Sequence, residues 1–119
     1  MTQGYRLYVT YRSEYLVLRD MCVGVRDRAS SAWLPMHAAT CSHVVGPLEA
    51  PAADPVLAGT IRVGEHLCLH TSARRVVTGQ IVAVEQPSRE LLRQAERQWQ
   101  RAFHTQDVRH TAMLLVPSQ

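Results

Sequence analysis

Residues 88–104 read SRELLRQAERQWQRAFH, the longest stretch of this chain with an unbroken helical period. Leu91, Leu92, Ala95, Trp99, Ala102 and Phe103 recur so that, at about 100° per residue, they share an arc of roughly 120°. That is the width of a stripe buried against another layer. Arg89, Arg93, Arg97 and Arg101 are each four residues apart and drift by about 40° per step, so they stay together on the opposite side. Ser88, just after Pro87, is placed to cap the free amides of the first turn, and Glu90 suits the positive end of the helix dipole. Leu91 stands where a capping box needs Glu or Gln, so the box is half made. A helix with one apolar face needs a second layer to cover it. Trp99 and Phe103 are expected to turn inward on that layer.

The rest of the chain supplies strands. Residues 5–12, YRLYVTYR, alternate, with Leu7, Val9 and Tyr11 on one face and Tyr8 and Thr10 on the other. Residues 12–14 make a tight turn, Tyr15–Arg19 a second strand and Met21–Arg26 a third. Asp27–Ser31 has turn composition. Ala32–Leu34 reads as a short strand that Pro35 confines to an edge or an end. Residues 37–58 break the pattern. Pro47, Pro51, Pro55, Gly46 and many alanines make a long irregular connection, centred on a Pro/Ala-rich loop at about 40–58. Strands resume with residues 60–63, a turn at Gly64-Glu65, His66–His70, a turn at 71–74, and the long run Arg75–Gln86. Gly79 in the middle of that run predicts a bulge or bend. After the helix, Val108–Val116 is apolar enough for a last strand. The expected fold is mainly β: a small antiparallel barrel or curled sheet of about seven short strands, with one amphipathic helix packed on it.

The stretch GTIRVGEHLCL, residues 59–69, resembles the hairpin of the second-domain barrels of translation elongation factors and the late strands of PilZ domains. Both resemblances imply a barrel. The nucleotide site of PilZ domains needs an R-x-x-x-R element and a later Asp/Asn-x-Ser-x-x-Gly element. Asp27-Arg28-Ala29-Ser30 misplaces the serine and no glycine follows, so that function does not carry over. A barrel closed by a late helix also resembles the layout of CcdB-type toxins, a likeness of architecture only.

Length and composition narrow the classes. A chain of 119 residues with 46% apolar content supports one domain, residues 1–119, with a real core. No run approaches the ~20 apolar residues of a membrane span, so no membrane association is expected. The first twenty residues lack a basic start followed by an unbroken apolar stretch, so a signal peptide is not expected. Three cysteines, an odd number, argue for a reducing compartment, and the expected location is cytoplasmic. All thirteen basic residues are Arg, a bias that a GC-rich, bacterial-like genome also writes. The net charge of +3 permits an anionic partner without requiring one.

Candidate chemistry is thin. His66, Cys68 and His70 alternate on one strand and share a face, and Cys41 and His43 offer further donors for a metal. Three such residues span about 13 Å, more than one ion bridges, and no zinc-type spacing is present. The plainer reading puts Leu67 and Leu69 inward and these polar residues outward. Cys22, Cys41 and Cys68 read as small hydrophobes, since nothing marks one as an activated thiol. No phosphate loop, nucleophile elbow or paired carboxylates occur. No cofactor and no catalytic residue are expected. The first reading is a non-enzymatic interaction or adaptor module with a regulatory role, binding a protein partner. Its contact surface would use exposed sheet edges and the tyrosines Tyr5, Tyr8, Tyr11 and Tyr15. The alternative is a nucleic-acid binder using Arg89, Arg93, Arg97 and Arg101 with Arg74 and Arg75. A metal- or thiol-dependent enzyme ranks last. Open sheet edges also allow a homodimer.

Overall fold

Six strands and one helix are formed by the described residues. They are β1 (Tyr5–Thr10), β2 (Ser13–Leu18), β3 (Met21–Asp27), β4 (His43–Pro47), β5 (His66–His70), β6 (Arg75–Glu85) and α1 (Arg89–Thr105). The computed structural model describes residues 4–48 and 61–105, with only the backbone described at 99 and 101–105. Each strand pairs antiparallel with the next, and β1 returns to β6 to close a barrel. The expected strand at 108–116, the inward placement of Trp99 and Phe103, and the side chain of Arg101 all lie outside the described residues.

Alternation decides what fills the barrel. Tyr8, Tyr15, Val17, Cys22, Val25, Leu67, Leu69 and Ile81 point inward and form one buried cluster with Ala39. The other face of β1 and β2 is buried as well. Leu7, Val9 and Leu16 lie on the outer wall and pack against Leu91 and Ala95 of the helix. Leu7, Tyr8, Val9 and Thr10 are therefore all buried in succession. Each large apolar side chain so covered contributes on the order of 1.5–3 kcal/mol. Ser88 caps α1 as its position requires: its Oγ accepts the Leu91 N–H at 3.1 Å and its carbonyl accepts the Leu92 N–H at 3.1 Å.

The long strand β6 bends, and the bends let it serve two neighbours. Its first half pairs with β5 and its second half with β1, with a register shift in each ladder. The shift beside β5 falls opposite Leu67. There the Leu67 N–H is taken up by the Thr78 hydroxyl at 3.0 Å instead of a carbonyl. The bend expected near Gly79 is thus present, and it closes the ring.

Four expectations need correction. The stretch at 37–58 is not wholly irregular, because His43–Pro47 forms β4, which pairs with four residues of β5. A strand of five residues that ends Gly-Pro carries little local signal, and its partner on β5 fixes it. Residues 61–63 are not a strand. The Arg62 N–H donates to the Glu65 carboxylate at 2.7 Å, and Gly64 turns at φ 97°, so the segment is a turn. Residues 32–34 contribute one bridge, Arg26 with Trp33, and no strand. Finally, there are six strands among the described residues and they close, so the open edges expected for a partner strand or an edge-to-edge dimer are absent there.

Candidate functional site

The helix lies along the outer wall of β1, β2 and β3 and leaves a groove on one flank. The floor of that groove is apolar: Tyr5, Leu16, Leu18 and Val23 from the barrel, with Leu92 and Ala95 from α1. Its rim is Arg89, Arg93, Glu96 and Gln100, all from the helix. The groove holds about 900 Å³, within the range of sites that take a ligand or a partner's side chains.

On the opposite flank Arg26 ties the helix to the barrel beside a smaller pocket of about 420 Å³. Its Nε donates to Glu14 Oε1 at 2.6 Å, its Nη1 donates to Gln94 Oε1 at 3.3 Å, and its guanidinium lies 5.6 Å from the centre of the Trp33 ring. Glu14 and Arg26 are largely buried, so this pair joins β2, β3 and α1 through charge-assisted bonds. Trp33 in turn lies against Gly24, where a Cβ would come within 2.9 Å of the ring. Glycine at that position lets the indole approach the strand.

The arginine row is present as far as it is described. Arg89, Arg93 and Arg97 are exposed on α1. Glu90 lies 3.7 Å from Arg93 and 3.6 Å from Arg97. These are solvent-exposed pairs of little energetic weight. Arg74 and Arg75 do not join the row. They stand at the β5–β6 turn, whereas the helix packs on β1, β2, β3 and the end of β6. Arg75 instead donates from Nε to Cys68 Sγ at 3.3 Å.

His66, Cys68 and His70 share the outer face of β5, with Leu67 and Leu69 fully buried inside. His43 sits opposite His70 across the β4–β5 ladder, and its Nδ1 is 3.8 Å from Asp20 Oδ2. Among the described residues no three His, Cys, Asp or Glu side chains converge as a metal site. The cysteines are free. Burial pushes the Cys22 thiol up to about 12 and also raises that of Cys41, the reverse of what an attacking thiolate needs.

The tyrosine surface also needs correction. Tyr8 and Tyr15 are inside the barrel, and burial raises both phenols. Only Tyr5, at the groove, and Tyr11, which is exposed, are accessible. Sequence reasoning missed the groove because it depends on where the helix comes to rest on the wall. Leu16 and Leu18 were legible only as residues of a strand.

No described helix is long and apolar enough to cross a membrane. No family model, no curated protein and no solved structure matches the chain.

Proposed function

We propose that this protein is a non-enzymatic interaction module that binds a protein partner in the groove between α1 and the outer wall of β2 and β3. The observation that carries the reading is the pairing of an apolar floor with a charged rim on the outside of a closed, filled barrel. Surfaces of that kind fit side chains of a partner protein, with apolar anchors below and polar residues around them. The raised thiols of Cys22 and Cys41 make neither a ready nucleophile.

Nucleic-acid binding is the second reading, favoured by the exposed Arg89, Arg93 and Arg97. Against it, the groove beside those arginines has an apolar floor. Phosphate binding would use the charges and leave that floor unexplained.

Site-specific photo-crosslinking tests the proposal. A photoreactive phenylalanine at position 18 of the full chain is expected to yield one discrete protein adduct in cells. The same residue at position 77, on the uncovered wall, is expected to yield none. Adducts confined to nucleic acid, to residues 106–119 of the same chain or to a second copy, or equal adducts from both positions, would overturn it.

A further inference from the structure

Resting on that groove assignment, we infer that the partner presents an amphipathic α-helix with two acidic residues one turn apart, laid beside α1. The backbone of the barrel argues against an extended peptide. Among the described residues each strand of the ring has a neighbour on both sides, with β3 and β4 joined at Met21 and His43, so little edge is left for a strand from outside. Where β4 leaves part of β3 unpaired, the chain itself fills the gap. The Asp27 N–H donates to the Ala32 carbonyl at 2.8 Å and the Leu34 N–H to the Val25 carbonyl at 2.8 Å. Recognition in the groove then falls to side chains, and a helix satisfies its own backbone while offering them.

The dimensions agree. The helical rim runs from Arg89 to Gln100. At 1.5 Å per residue that is about 17 Å, or three turns of a helix lying alongside. Helices pack about 8–10 Å apart, so a second helix beside α1 would rest on Leu18, Val23 and Tyr5. α1 leaves these three only partly covered.

Charge sets the sequence preference. Arg89 and Arg93 are one turn apart, about 6 Å between their Cβ atoms. Carboxylates at i and i+4 of the occupant match that spacing, and the planar guanidinium favours them. Glu96 follows on the same rim and selects a basic residue beyond the acidic pair, which fixes the direction of the occupant. The 3.7 Å contact of Arg93 with Glu90 joins two exposed groups and yields readily to a better partner. A second copy of α1 is disfavoured, because its own exposed arginines would face this row.

Fluorescein-labelled peptides of 18 residues, titrated into the full-length protein by anisotropy, test the inference. The first carries leucines at i, i+3, i+4 and i+7 with the Glu pair. The second replaces that pair with Lys. The third has the sequence of the first with two central residues changed to Pro. The first is expected to bind about tenfold or more tightly than the second, as desolvated charge matching allows. The third is expected to show no saturable binding. Combining Arg89→Glu with Arg93→Glu is expected to reverse the order of the first two. Equal binding of the helical and Pro-broken peptides, indifference to charge, or no binding below about 1 mM overturns the helical, acidic partner. The groove assignment stands or falls separately, on whether the adduct at position 18 forms.

Discussion

The two halves of the barrel wall are built alike and treated differently. Around β1, β2 and β3 the outward residues Leu7, Val9 and Leu16 are as buried as the inward ones, because α1 lies over them. Around β4 and β6 the outward residues Val45, Val77 and Val82 remain 44–47% exposed. The strands do not differ in kind, since each alternates. The difference is one added layer. It teaches that burial on a small barrel belongs to the placement of the covering helix as much as to the strand.

The comparison is easiest to break with a matched pair of truncations. Leu16→Ala, under the helix, is expected to lower the unfolding free energy by about 2–5 kcal/mol. Val77→Ala, on the uncovered wall, is expected to stay within about 0.5 kcal/mol. Urea unfolding followed by far-UV circular dichroism measures both, and equal losses would mean that α1 does not cover the wall. Next in size is the clamp that fastens helix to barrel. Arg26→Gln leaves the Glu14 carboxylate without its partner at 2.6 Å. The expected loss is roughly 2 kcal/mol, the order for a bond to a charged group. A smaller loss in an Arg26→Gln, Glu14→Gln double variant than in the single one would show that the unpaired carboxylate is the cause.

The smallest expected effect concerns His37, in the segment between β3 and β4. His37 meets the Tyr15 ring edge-on at 5.9 Å, and its Nδ1 accepts the Ala39 N–H at 3.0 Å. Burial lowers its pKa below the ordinary value of 6.5. The folded state therefore favours the neutral ring. Its contribution is present above the unfolded value and is lost as pH falls through the folded one. Unfolding midpoints measured from pH 7.5 down to 5 are expected to decline more steeply for the parent chain than for His37→Asn. Parallel profiles would remove His37 from the account.

Much of this was legible in the sequence where local chemistry alone decides. Ser88 announced the helix start, Leu91 and Ala95 its buried stripe, and Gly79 the bend in β6. The alternation at 5–10 gave β1 and its two faces, though not which face was inside. That choice depends on the helix, which lies about eighty residues away along the chain and covers one side only. β4 was missed for a related reason. His43–Pro47 is held by β5, so its strand character comes from a partner in the fold and not from its own residues. The arginine row was visible from spacing. The groove was not, because Leu18 and Val23 become a floor only when α1 stops short of them.

The seam between β3 and β4 consists of a single residue pair, Met21 with His43, helped by three backbone bonds at Cys22, Cys41 and Val44. Local fluctuations that admit solvent to the ring should begin there, with those amide hydrogens exchanging before the ones in β1. Parting that seam leaves a continuous open sheet in which β6, β1, β2 and β3 remain adjacent beneath α1. The docking flank would thus outlast the integrity of the barrel interior, and recognition could persist in a breathing molecule.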